Sequence, residues 1–156
     1  MKTLIICISA SCGNTQKIAE AIAGILKAKL VKPCDVDIKN LVKYDLIGIG
    51  SGIYNSKHHE ILLDIINEFP GVKGKKAFVF STSSQGTKRF HTALNEKLRE
   101  KGYEITGEFA CRGLDTHGPL GIFQLTGFKK NKGMPGEEDI KNAKLFANDL
   151  KNKFIK

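Results

Sequence analysis

The sequence predicts an α/β fold, a parallel sheet covered by helices on both faces, and three observations carry that prediction. Apolar runs such as Thr3–Ser9 (TLIICIS) and Tyr44–Ser51 (YDLIGIGS) are continuous rather than alternating, the pattern of strands buried on both sides. Segments with apolar residues at helical spacing lie between them, so strand and helix alternate along the chain. A length of 156 residues with 41% hydrophobic and 26% charged residues suits one globular domain over residues 1–156, not a disordered, collagen-like or coiled-coil chain.

Thr3–Ser9 is the first strand. The run Thr3–Ala10 with its single Lys2 is at the lower limit of a signal sequence in length and charge, and reads instead as buried sheet. Asn14–Lys29 is the first helix, with Ile18, Ile22, Leu26 and Leu30 at i, i+4 spacing and Ala19 and Ala23 beside them. A short second strand is expected at Asp35–Ile38, after Pro33, and a third at Tyr44–Ser51. Lys57–Phe69 carries the helical stripe Ile61, Leu62, Ile65, Ile66 and Phe69, ended by Pro70-Gly71. Lys75–Ser81 is a fourth strand, Thr87–Lys101 a helix stopped by Gly102, and Tyr103–Cys111 a more polar fifth strand suited to an edge. Glu137–Phe154 closes the chain as a helix with Ile140, Ala143, Ala147, Leu150 and Phe154 on one side. Residues 112–136 are rich in glycine and irregular, and loops this long inside a domain usually carry function.

Composition narrows the function. No apolar run approaches the roughly 18 residues that cross a bilayer, so no membrane role is expected. Net charge is +9, and among the 25 basic residues only Arg89, Arg99 and Arg112 are Arg. The lysines are scattered rather than blocked, which argues against a dedicated nucleic-acid site, while the positive field favours anionic partners. Cys7, Cys12, Cys34 and Cys111 form no CxxC pair, so a zinc ribbon or thioredoxin-type pair is unsupported and a reducing cytoplasmic compartment is expected. Cys7 and Cys111 sit in apolar runs and are expected to pack as small hydrophobes. His117 and the adjacent pair His58-His59 read as solvated surface residues, the pair pointing apart on a helix and making poor metal co-ligands. No metal site and no catalytic residue stands out, and no carboxylate pair has a spacing that demands acid/base work.

The chemistry lies in three loops that follow strands, where open α/β sheets bind ligands. They are Ser9-Ala10-Ser11-Cys12-Gly13-Asn14-Thr15, Gly50-Ser51-Gly52-Ile53-Tyr54-Asn55 and Ser81-Thr82-Ser83-Ser84-Gln85-Gly86-Thr87, all rich in hydroxyls and small residues. The first joins a buried strand to a helix, so free N–H groups and the positive helix end converge there. Gly13 allows close backbone approach, and no Lys or Arg occurs between Lys2 and Lys17. That composition suits a phosphate held by neutral hydrogen bonds, although Ser11, Asn14 and Thr15 also suit helix capping. The loop lacks the Gly-Lys-Ser/Thr ending of a Walker A motif and is not GxGxxG. A thiol phosphatase would need Arg six positions after its Cys, where this chain has Gly13 and Ile18.

The first loop resembles the phosphate loop of the flavodoxin family, roughly Ser/Thr-x-Ser/Thr-x-Gly-Asn-Thr, which Ser9, Ser11, Gly13, Asn14 and Thr15 match in place. The resemblance extends over essentially the whole chain. It implies a three-layer flavodoxin-like domain whose five-stranded parallel sheet runs 2-1-3-4-5, with flavin mononucleotide (FMN) at the switch between strands one and three. Carried over by position, Ser9, Ser11, Gly13, Asn14 and Thr15 would hold the FMN phosphate, with Cys12 giving its backbone N–H. Ser51, Gly52, Ile53, Tyr54 and Asn55 would flank one side of the isoalloxazine ring, Tyr54 either stacking on it or anchoring the loop. A backbone carbonyl near Gly52 would accept a hydrogen bond from the reduced flavin. Thr82, Ser83, Ser84 and Gly86 would lie along the other edge, and Arg112, Asp115 and His117 would help cover the site.

The function so implied is an FMN-binding electron-transfer protein shuttling electrons between redox protein partners, present as a monomer or homodimer. An FMN-dependent NAD(P)H oxidoreductase of quinone- or flavin-reductase type stays open, as does a non-redox phosphate- or nucleotide-binding module. Flavodoxins are typically acidic and often stack Trp on the flavin, whereas this chain is +9 and has no Trp. Acidic partners and a less negative low-potential couple are therefore expected.

Overall fold

A computed structural model describes residues 1–9, 13–113 and 133–155. The described chain runs β1 (Thr3–Ile8), α1 (Asn14–Leu26), β2 (Lys29–Val31), two 3-10 turns (Pro33–Asp35 and Ile38–Lys43), β3 (Leu46–Tyr54), β4 (Lys57–His58) and α2 (Glu60–Asn67). It continues through β5 (Lys75–Ser83), a 3-10 turn (Lys88–His91), α3 (Thr92–Glu100), β6 (Tyr103–Arg112) and α4 (Glu137–Ile155). Five strands pair in parallel in the order β2-β1-β3-β5-β6, and β4 pairs antiparallel with β3. Counting the parallel strands alone, this is the anticipated 2-1-3-4-5 order with one short strand added.

Helices cover both faces. On one, Ile18, Ile22 and Leu26 of α1 and Ala143, Ala147 and Leu150 of α4 pack on Ile5, Cys7, Phe78 and Phe80. On the other, Leu62 and Ile66 of α2 and Leu94 and Leu98 of α3 pack on Leu4, Ile6, Ile47, Ile49 and Val79. Strands β1, β3 and β5 are buried on both sides, which is why they read as unbroken apolar runs.

Within β3, the alternate glycines Gly48 and Gly50 have a packing reason. The rings of Phe78 and Phe80 on β5 lie across them, and a Cβ at these positions would stand 2.2 Å and 2.3 Å from ring carbons. On β6 the register against β5 passes from Ala77↔Ile105 to Phe78↔Gly107. Thr106 is the extra residue, a β-bulge, and its hydroxyl bonds the Ala77 carbonyl at 3.1 Å. The bulge reverses which face later side chains take. Tyr103 and Ile105 pack with the α2/α3 face, while Phe109 and Cys111 pack with the α1/α4 face. Glu108 is thereby delivered to the α3 side.

Three local expectations are corrected. The second strand is Lys29–Val31, not Asp35–Ile38, because α1 ends at Leu26 and Lys27 turns the chain with a left-handed φ of 51°. Residues 29–31 then pair with Leu4–Ile6, and Pro33 opens a 3-10 turn where a strand was expected. The helix expected from Lys57 begins at Glu60, because Lys57 and His58 fold back on Tyr54 and Ile53 in a hairpin. Its two-residue turn, Asn55-Ser56, has φ values of 48° and 61°, the type I′ geometry that matches strand twist. The helix expected from Thr87 opens as a 3-10 turn at Lys88–His91 and becomes α-helical at Thr92.

Candidate functional site

The three hydroxyl-rich segments meet at the carboxyl ends of the central strands. Register places Ile8 beside Ser51, Ser51 beside Ser81, and Gly52 beside Thr82. This is where the strand order reverses, since β1 has β2 on one side and β3 on the other.

The first segment ends in α1, whose N-cap Gly13 (φ 64°) gives no side-chain cap, and whose first turn carries no acidic residue. Among the described residues, none beyond its chain neighbours lies within 4 Å of where a Gly13 Cβ would stand. Ser9 takes one helix N–H, that of Gln16, on its Oγ at 3.3 Å. Thr15 is buried, and its hydroxyl lies 2.8 Å from that of Thr82. Thr15 therefore braces the first segment against the third rather than capping its own helix. A Cβ on Gly113 would stand 3.1 Å from Asn14 Nδ2 and 3.2 Å from Thr82 Cβ, so the end of β6 closes on the same spot. The structure thus gathers Ser9, Gly13, Asn14, Thr15 and Thr82. Ser11 and Cys12 lie outside the described residues, as do Asp115 and His117.

The second segment is not a loose loop, because β3 runs on to Tyr54 and only Asn55 and Ser56 turn. The Ser51 hydroxyl points inward and is fully engaged. It donates to the Gly52 carbonyl at 2.6 Å, accepts the His59 N–H at 3.0 Å, and meets His58 Nδ1 at 2.9 Å. Since its one hydrogen goes to Gly52, His58 must donate through Nδ1–H, leaving Nε2 as the bare acceptor. That Nε2 is buried without a partner. Tyr54 lies edge-on to His59, ring centroids 5.1 Å apart, and its hydroxyl stands 3.1 Å from where a Gly52 Cβ would be. Ile53 is half-buried and pairs with His58 across the hairpin, while Asn55 is exposed at the turn.

The third segment turns tightly. Ser83 Oγ accepts the Gly86 N–H at 2.9 Å, and the Ser83 carbonyl accepts the Gly113 N–H at 3.0 Å. Gly86 has φ 62°, and a Cβ there would stand 3.0 Å from the backbone of Cys111 and Arg112. Ser84 is exposed on the outer side of the turn.

Burial pushes the thiols of Cys7 and Cys111 up to about 12, with Glu20 adding to the effect at Cys7 and Asp139 at Cys111. Neither is a nucleophile near neutral pH. Their packing as small hydrophobes agrees with the sequence, but the surface role read for His58 does not. His58 is 2% exposed. Burial, with His91 nearby, pushes its pKa down to about 3, so its ring is neutral and serves as a hydrogen-bond donor to Ser51. His91, Asn95 and Glu108 complete a polar cluster with Ser81 that sequence reasoning missed. The available signal was Ser51 and Ser81 themselves, hydroxyls in otherwise apolar strands, which need inward partners. Among the described residues no group of three or more His, Cys, Asp or Glu is placed to hold a metal ion, and no helix is long and apolar enough to cross a membrane.

Fold and site together define a class, a doubly wound α/β protein with hydroxyl-rich segments gathered at the reversal of its strand order. The chain belongs to the flavodoxin domain family, whose family model matches residues 5–130. It is 44% identical over 152 residues to an uncharacterized protein of Methanocaldococcus jannaschii, covering 96% of this chain and 98% of that protein. The fold is shared with solved flavodoxins. An archaeal flavodoxin superposes with TM-score 0.67 at 19% identity, covering 98% of each chain. Oxidised Flavodoxin 2 from Bacillus cereus gives 0.67 at 22% identity, covering 98% of this chain and 99% of that one. Fusobacterium nucleatum flavodoxin bound to flavin mononucleotide gives 0.65 at 16% identity, with 98% and 99% covered.

Proposed function

We propose that this protein binds FMN at the carboxyl end of its sheet and carries electrons between redox proteins. The observation that carries the reading is the junction of a helix N-terminus that has glycine at its N-cap and no acidic residue in its first turn with the Thr15–Thr82 hydroxyl pair, where the strand order reverses. The donor set fits a phosphate monoester. Backbone N–H groups at the start of α1, with Ser9, Ser11, Cys12, Gly13, Asn14 and Thr15, offer neutral donors and the positive end of a helix dipole. Gly52, Ile53, Tyr54 and Asn55 flank one side of the ring site, and Thr82, Ser83, Ser84 and Gly86 the other. Ser51 acts from beneath, its hydroxyl fixing the Gly52 carbonyl.

FMN, when bound, supplies the one- and two-electron chemistry. The chain's own residues bind and orient it. The type I′ turn at Asn55-Ser56 holds Tyr54 beside Gly52, and the Ser83–Gly86 turn presents backbone at the opposite edge. With a net charge of +9, the molecule attracts acidic redox partners from solution.

The test is the visible spectrum of purified protein and its FMN affinity. Oxidised-flavin absorption, released as the mononucleotide on denaturation, is expected. The double variant Asn14→Ala with Thr15→Ala should weaken FMN binding at least tenfold by fluorescence titration. Unchanged affinity would overturn the proposed phosphate site. A protein that stays colourless after FMN is added would overturn the function.

A further inference from the structure

Beneath the second and third segments, on the α2/α3 face, lies a row of polar side chains that the proposed FMN site does not use. Ser81 Oγ stands 2.7 Å from His91 Nε2, and His91 Nδ1 stands 3.0 Å from Glu108 Oε1. Asn95 Nδ2 donates to the same carboxylate oxygen at 2.8 Å. Ser81 and His91 are 0% exposed, whereas the Glu108 side chain is 32% exposed. Hydroxyl, imidazole and carboxylate follow the order of a hydrolytic triad, but a hydroxyl sealed from solvent meets no acyl substrate.

The row suits a different task. With His91 neutral, Nδ1–H donates to Glu108 and Nε2 accepts from the Ser81 hydroxyl. With His91 protonated, Nε2–H donates and the Ser81 hydroxyl rotates to accept. The ring can gain a proton without losing a hydrogen bond and without moving a heavy atom. His58, 5.0 Å away between ring centroids, cannot, because a proton on its unpartnered Nε2 would be a buried N–H with no acceptor.

The charged groups around His91 have opposing effects. Glu108 from β6 favours the protonated ring, and Lys88 from the same 3-10 turn opposes it. From β5, α3 and β4 come neutral partners, the Ser81 hydroxyl, the Asn95 amide and the uncharged His58 ring. Burial is the largest influence and holds His91 below the ordinary histidine range. Negative charge added at the ends of β3 and β5, where Ser51 and Ser81 lie, acts in the opposite sense.

We propose that His91 takes up a proton when an electron enters the adjoining cofactor site, with Glu108 as its counter-ion. This rests on the FMN reading above. The electron comes from a one-electron redox protein, the proton comes from bulk water and ends on His91 Nε2, and the total charge of the loaded protein is unchanged. His91 is then a positioning residue for charge and need not touch the flavin.

The experiment uses FMN-loaded wild type, His91→Gln and Glu108→Gln. Glu108→Gln keeps an acceptor for Nδ1–H and removes only the charge, so the test survives if His91→Gln fails to fold. Histidine imidazole NMR at fixed pH is read before and after reduction. His91 is expected to pass from neutral to protonated in wild type, with its proton affinity at least tenfold lower in Glu108→Gln. The lower-potential couple should fall with pH more steeply in wild type than in His91→Gln, the difference approaching 59 mV per tenfold change in proton concentration. A His91 signal that stays neutral in both redox states, or equal slopes in wild type and His91→Gln, would overturn the proposal. A protein that takes up no FMN overturns the functional reading and this proposal together, and its visible spectrum distinguishes that case.

Discussion

At the scale of single residues, burial of His58 makes the stability of the fold depend on pH. Its pKa of about 3 in the folded protein lies below its unfolded value near 6.5, chiefly through burial. The unfolded chain therefore binds more protons between these two values. Stability is full above pH ~6.5 and is lost as the pH falls toward 3, by about 1.4 kcal/mol per pH unit for this one group. Urea unfolding between pH 4.5 and 7.5 should show the loss, and His58→Gln should flatten it by about one proton. An identical slope in both proteins would remove His58 from the account. The sequence hides this residue because its burial depends on a hairpin with a two-residue turn, and the apolar stripe after it extends naturally into a helix. Cys7 and Cys111 were legible because each lies in a strand that the sheet buries, where a small thiol packs as an apolar side chain.

At the scale of elements, β3 shows what alternate glycines contribute. Gly48 and Gly50 leave room for the Phe78 and Phe80 rings, which pack in the α1/α4 layer. Gly50→Ala forces a Cβ to 2.3 Å from the Phe80 ring and should cost about 1–3 kcal/mol or more by overpacking. Gly24→Ala is the control. It lies within α1 with nothing inside 4 Å, and should stabilise by about 0.5–1 kcal/mol. Equal melting temperatures for the two variants would contradict the close approach. Strands β1, β3 and β5 were readable because burial on both faces leaves an unbroken apolar run. β2 was not, because it has three residues and follows a helix ended by Lys27 in the left-handed region, without the glycine that usually marks such a stop.

At the scale of the whole molecule, topology assembles the site. The first and third segments are 67 residues apart in sequence at Thr15 and Thr82, yet share a hydrogen bond because β1, β3 and β5 are neighbours ending at one level. The loop compositions therefore showed which segments share this end of the sheet. They did not show that the Ser51 hydroxyl points inward, because a strand's facing is set by register. The +9 charge acts at this scale too. Electron transfer with an acidic redox protein should slow by more than tenfold as ionic strength rises from ~10 mM to ~0.5 M, as screening shortens the reach of the field. Stopped-flow measurement of the bimolecular rate checks this, and a salt-independent rate would sever net charge from partner choice.

One inserted threonine carries consequences well beyond its own strand. Tyr103, Ile105, Phe109 and Cys111 all hold odd positions, yet the first two look toward α3 and the last two toward α4. Thr106 is the phase slip between them. In a perfectly regular β6 that kept Tyr103 and Ile105 in place, Glu108 and Phe109 would trade layers, so a single hiccup in the pleat puts an oily wall and an ionisable one each on its proper side.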